Sequence, residues 1–155
     1  MKNVLFIAYY LPPMGGSGVQ RALKFIKYLP QFGWNPIVLC PAAGVYHTFD
    51  DSLLAEMESL KVDIHRVKSG SIFQTAAGFK TTKKVAISND KARLFRKLSR
   101  LIYYPDNKRG WIKPAVQEGM RLINSSQIDL IFCTAPPFSN HIIGQKLKMT
   151  TGIPL

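Results

Sequence analysis

The chain opens on an unbroken apolar run, Asn3 to Tyr9 (NVLFIAY), with β-branched and aromatic members and no charge. A strand open to solvent on one face alternates apolar with polar residues. A continuous run is the pattern of a strand covered on both faces. Leu11 to Gly18 (LPPMGGSG) follows, so dense in Pro and Gly that it reads as a loop. Val19, Ala22, Leu23, Ile26 and Leu29 then recur at helical spacing, with Arg21, Lys24 and Lys27 between them. Pro30 and Gly33 end that helix, and Pro36 to Leu39 is a second apolar strand stopped by Pro41.

The alternation continues. Thr48-Phe49-Asp50-Asp51 offers a helix start for Asp51 to Leu60, with acids in the first turn. Val62 to Val67 alternates apolar and polar, a third strand nearer an edge. Trp111 to Asn124 reads as a helix with Pro114 in its first turn, and Ile128 to Cys133 as a buried strand. Thr134 to Pro137 is a tight loop before a helix over Phe138 to Met149, which Gly152 caps. Ile153-Pro154-Leu155 has the look of another strand beginning, which predicts that these residues belong to a larger domain. Strands and helices in this order predict an α/β fold, a parallel sheet with helices on both faces.

Composition narrows the class. At 155 residues and 46% hydrophobic content the chain is about one domain with a real core. Cys40 and Cys133 form no CxxC pair, and each ends an apolar run, so both are expected as buried core thiols in a reducing compartment. Val4 to Leu11 is too short to span a membrane and is followed by Pro12-Pro13 rather than a cleavage site. The expected location is the cytoplasm, with contact to the inner membrane face. The net charge of +12 is local: residues 61–113 hold fourteen basic and three acidic side chains, while the rest is nearly balanced. Such an excess points to one surface rather than to a general affinity for polyanions.

Gly15, Gly16, Ser17 and Gly18 lie between a buried strand and a helix, at the carboxyl end of the strand, where ligands bind in such folds. Glycines admit close backbone approach, and the first N–H groups of the helix attract a phosphate. Two familiar motifs do not fit. The G-x-G-x-x-G fingerprint begins at Gly16 and Gly18, but Arg21 stands in place of its third glycine and the second strand ends Leu39-Cys40-Pro41 without an acid. The Gly-Lys-Ser/Thr of a Walker loop is absent. The loop after the fourth strand, Thr134-Ala135-Pro136-Pro137, is expected to face the same crevice, with Ser139, Asn140 and His141 in the first turn of the helix beyond it. His141 is a candidate general base, although a lone His at a helix start is more often structural. No His, Cys or acidic cluster has metal-ligand spacing, and no triad or carboxylate pair can be argued, so no catalytic residue is named.

Three ordered segments, VLFIAYYLPPMGGSGVQRALKFIKYL, YYPDNKRGW and DLIFCTAPPFSNHIIGQKLKMTTGIPL, resemble the N-terminal domain of bacterial family 4 glycosyltransferases of the GT-B fold. The resemblance covers residues 1–67 and 103–155. It implies a Rossmann-like domain, the acceptor-side half of a two-domain enzyme whose C-terminal donor-binding domain is absent from this chain. It also implies transfer of a sugar from a nucleotide-sugar donor to a glycan or lipid-linked acceptor, with retention of configuration, in cell-surface polysaccharide synthesis. Gly15, Gly16, Ser17 and Gly18 would lie against the donor phosphates with Arg21 nearby; no metal or other cofactor is implied. Relatives place a His after the fourth strand, where this chain reads Thr134-Ala135, so that role does not carry over. The 155-residue chain alone is expected to be inactive as a transferase.

The middle of the chain lies outside the resemblance. Residues 69–102 form a basic insertion: Ser69 to Asn89 lacks period and is expected to be mobile, and Lys91 to Tyr103 is amphipathic. Lys83, Lys84, Arg93, Arg96, Lys97 and Arg100 surround apolar residues and are candidates for contact with an anionic bilayer, or for a solvated helix face. Two other readings compete. A nucleotide-binding oxidoreductase domain is disfavoured by Arg21 and the missing acid. A nucleic-acid module rests on charge alone, without an aromatic-interleaved basic motif, and no nucleic-acid partner is expected.

Overall fold

A computed structural model describes residues 1–42, 49–68, 106 and 108–155. Residues 69–102, including the cations proposed for membrane contact, lie outside the described residues. The order of elements is β1 (Lys2–Ile7), α1 (Ser17–Tyr28), a 3-10 turn (Leu29–Phe32), β2 (Trp34–Pro41), α2 (Asp51–Ser59), β3 (Asp63–Val67), a 3-10 turn (Arg109–Trp111), α3 (Ile112–Ser125), β4 (Leu130–Cys133) and α4 (Ser139–Thr151). The four strands pair in parallel in the order β3-β2-β1-β4, so the fold is α/β and Rossmann-like, as expected.

β1 is inner and covered on both faces. Leu5 and Ile7 join Ile37, Leu39 and Ile131 under α3 and α4, which contribute Ala115, Ile143 and Leu147. Phe6 and Ala8 join Val38 and Cys40 under α1 and α2, which contribute Leu23, Ile26, Leu53 and Met57. The period of two along the strand sends alternate residues into two cores, and every residue of Val4–Ala8 is buried. α1 turns Val19, Ala22, Leu23 and Ile26 inward, the stripe its spacing predicts. It ends in the short turn before Gly33, whose φ of 80° is left-handed and suits glycine.

β2 is longer than the Pro36–Leu39 segment expected. It begins at Trp34 and runs through Pro41. Both prolines fit because each sits where only one neighbour is paired: Pro36 faces Val4 before β3 begins, and Pro41 faces Val67 after the β1 ladder ends. A proline is tolerated where its missing N–H is not called on. α2 starts where the acids predicted, with Asp50 as cap: its Oδ1 accepts from the N–H groups of Ser52 and Leu53, both at 3.1 Å. Those bonds, with the Ser52 hydroxyl first, hold the Asp50 carboxyl below its usual range. Ile153-Pro154-Leu155 is not a strand. It makes one backbone bond along the outer edge of β4, from Ile131 N–H to Pro154 C=O at 2.9 Å. Among the described residues no helix is long and apolar enough to cross a membrane.

Two glycines allow close packing on this face, Gly119 of α3 against α4 and Gly144 of α4 against β4. A Cβ on Gly144 would stand 2.4 Å from Cys133 Sγ and 2.8 Å from Leu155 Cδ1; one on Gly119 would stand 2.7 Å from Leu147 Cδ1. The first obstacle is a short, mostly buried side chain, the second the tip of a flexible one. Gly144→Ala is therefore expected to destabilise by about 1–3 kcal/mol despite the helix-propensity gain, and Gly119→Ala by less, read from urea-denaturation midpoints. Both cysteines are free thiols, and burial pushes Cys40 up to about 11 and Cys133 up to about 12. Both are thus protonated at pH 8. We expect negligible reaction with iodoacetamide at that pH in the native state and rapid reaction in urea. Fast labelling of the folded protein would contradict this burial.

Candidate functional site

The strand order places the switch point between β1 and β4. From β1 the chain winds outward through β2 and β3, then returns to add β4 on the other side. Connections leaving β1 and β4 diverge, and a crevice opens at their carboxyl ends. The loop after β1 is held in place: Pro12 C=O accepts from Arg66 Nη2 at 2.8 Å and Pro13 C=O accepts from Asp50 N–H at 3.1 Å. α1 opens with no side-chain cap and no acid in its first turn. Gly16, at φ 113°, ψ 166°, turns the chain into the helix, and its C=O accepts from the N–H groups of Val19 and Gln20. The N–H groups of Ser17 and Gly18 are left without a partner among the described residues.

These groups line a cavity of about 600 Å³ with Gly15, Gly16 and Arg21. Gly18 has ordinary backbone angles, and a Cβ there would meet nothing within 4 Å. Packing does not require glycine at this position; the absent side chain leaves the cavity open. Arg21 bridges the crevice, its Nη2 donating to Ala135 C=O in the loop after β4. The five residues expected around a phosphate, Gly15, Gly16, Ser17, Gly18 and Arg21, are thus brought together.

The second loop differs from expectation. Pro136 alone of its candidates lines the cavity, and Ala135 enters only through its carbonyl. Thr134 is engaged in structure, donating its N–H to Ile7 C=O and accepting from Asn140 Nδ2 at 2.7 Å. Ser139 and Asn140 are fully buried rather than facing the crevice. The helical period that sends Ile143, Gly144 and Leu147 into the core sends these two inward as well. His141 falls on the opposite side, exposed, with its ring 6.5 Å from that of Phe138. It does not line the cavity, so the general-base candidate has no place there.

Three residues escaped sequence reasoning. Tyr10 and Met14 line the cavity from the loop after β1. Asp106 ties the crevice together from a distant turn. Its Oδ2 accepts from Ser139 N–H at 2.8 Å, and its Oδ1 from Ser139 Oγ at 2.6 Å and Lys108 N–H at 2.8 Å. It thereby caps α4, which has no side-chain cap of its own at Phe138. Burial first, and the Asp106 charge second, raise Tyr10 above the usual phenol value, so its hydroxyl keeps its proton at neutral pH. The Tyr9 ring stands edge-on to Tyr10 and Trp111, with centroids 5.2 and 5.4 Å away, and Lys108 Nζ lies 5.2 Å from its centre. The sequence around Asp106 carries no local signal for this, because its partner is thirty-three residues away. Among the described residues no three His, Cys, Asp or Glu side chains converge as a metal site.

No protein-family model, no curated protein and no solved structure matches this chain.

Asp106→Ala removes a charged acceptor and leaves the buried Ser139 hydroxyl unpaired. A loss of about 2–3 kcal/mol is expected, with Asp106→Asn retaining part of it, measured by thermal or urea unfolding.

Proposed function

We propose that this chain is the acceptor-side domain of a glycosyltransferase, and that its cavity receives the diphosphate of a nucleotide-sugar donor. One observation carries the reading: an uncapped helix start, open through Gly18 and flanked by Arg21, at the switch point of a parallel sheet. The likeness of three ordered segments to family 4 enzymes supports it independently.

The chemistry follows from the donors. The Ser17 and Gly18 N–H groups point their partial positive charge at non-bridging phosphate oxygens. Arg21 offers a planar fork suited to a phosphate, and transferring it from the neutral Ala135 carbonyl to an anion strengthens its bond. Tyr10 supplies a protonated hydroxyl at the cavity wall. In this reading the domain binds and orients a leaving group. A dinucleotide is disfavoured: Arg21 replaces the third glycine, and residues Leu39 to Phe49 contain no acid to take a ribose.

Calorimetric titration with UDP, a UDP-hexose and NAD tests the reading. Binding of the uridine nucleotides and not of NAD is expected, weakened about tenfold, or about 1.4 kcal/mol, in Arg21→Ala. Gly18→Val is expected to abolish binding while leaving the unfolding midpoint nearly unchanged, because its side chain enters open space. Equal binding of NAD, or full binding by Gly18→Val, would sink the proposal.

A further inference from the structure

α1 has two apolar sides. Val19, Ala22, Leu23 and Ile26 face the core. Phe25, Tyr28 and, in the 3-10 turn that follows, Phe32 form a second stripe, 46%, 45% and 76% exposed. With Leu29 and Trp34 these rings enclose a groove of about 500 Å³, and no Asp or Glu lines it. The rings are held in place. Phe25 packs on Phe132 with centroids 5.5 Å apart, Phe132 stacks on Phe6 of the core at 5.0 Å, and Lys27 Nζ covers one face of Tyr28 at 5.9 Å. The cations beside the stripe are engaged within the chain: Lys24 and Lys27 share Glu56, and Arg21 donates to Ala135 C=O.

Rigid exposed aromatic rings around an apolar groove are the pattern of a protein interface. The spacing and the charge select the occupant. Arg21, Phe25, Tyr28 and Phe32 follow one another at steps of four, three and four residues, the same read in either direction. Two copies of α1 laid antiparallel across a two-fold axis therefore set Phe25 opposite the partner's Tyr28, twice. They also set Phe32 opposite the aliphatic stem of the partner's Arg21, twice, with each guanidinium left on Ala135. Ring against ring and ring against an arginine stem are both favourable pairings. Phe32, the most exposed of the rings, has the facing copy's groove to enter. An acidic partner would have to take Lys24 and Lys27 from Glu56, and Arg21 from Ala135, to gain its ion pairs. We propose that this stripe is a two-fold interface between copies of this chain. The proposal does not depend on the transferase reading, and its test uses no nucleotide.

Sedimentation velocity of the full chain over a concentration series tests it. A monomer–dimer equilibrium that stops at the dimer is expected, because an isologous contact closes on itself. Added salt should strengthen the dimer. Each copy carries a net charge of +12, and salt screens that repulsion without weakening an apolar contact. Phe32→Ser should raise the dissociation constant by about thirtyfold or more, the loss expected of an aromatic anchor. Its ring is exposed, so the variant should fold, with circular dichroism as the check. Phe138→Ser removes a ring that is 61% exposed at the start of α4, on the other face of the sheet, and should leave the dimer unchanged. A chain that stays monomeric at every concentration overturns the proposal and leaves the stripe to a different partner. An equal loss from both variants, or growth beyond the dimer, means unspecific association and overturns it as well.

Discussion

The double-sided burial of β1 is the constraint on which the rest of the molecule depends. Leu5 and Ile7 enter one core, Phe6 and Ala8 the other, and all four are inaccessible to solvent. Each large side chain so buried contributes about 1.5–3 kcal/mol relative to exposure. That burial is available only if helices cover both faces and strands flank both edges. β1 must therefore sit inside the sheet with β2 on one side and β4 on the other. A central strand flanked in this way makes a switch point, and the crevice at its carboxyl end follows.

What occupies the crevice is organised by polar bonds between segments distant in sequence. Arg21 reaches from α1 to Ala135, Asp106 reaches from the turn before α3 to Ser139, and Asn140 turns back to Thr134. Hydrogen bonds to charged groups contribute about 1.5–3 kcal/mol each where they are shielded from water. Asp106 concentrates three of them on one carboxylate. The loop after β4 is thereby fixed by Asp106 and Asn140, which do not line the cavity, and by Arg21, which does. The donors left over for a ligand are the backbone amides of Ser17 and Gly18, with Arg21 beside them.

The two faces of the sheet carry different surfaces. On the α1–α2 side, Glu56 neutralises Lys24 and Lys27 and pins the two helices to each other. On the α3–α4 side, Gly119 lets α3 approach Leu147 of α4 and Gly144 lets α4 approach Cys133 of β4, while Lys113 and Lys146 make no ion pair with a carboxylate among the described residues. The positive charge left on that side is a property of helix placement, since neither lysine is near the other in sequence.

Much of this was legible from the residues themselves. The unbroken run at β1, the stripe of α1, the alternation of β3, the Asp50 cap and the glycine-rich turn into α1 are all local patterns, and each element formed within a few residues of its expected place. Local patterns persist because steric limits, helical period and capping act between residues at most a few positions apart. The inward turn of Ser139 and Asn140, the outward turn of His141 and the capping of α4 by Asp106 were not legible. Neither were the places of Tyr10 and Met14 in the cavity wall. They depend on how far each helix is rotated against the sheet and on which loops the strand order brings together. The sequence by itself determined the elements, the double-faced strand and the anion-seeking loop. Only the packing of two cores around β1 decided which side chains meet across the crevice, because that balance is struck over the whole domain at once.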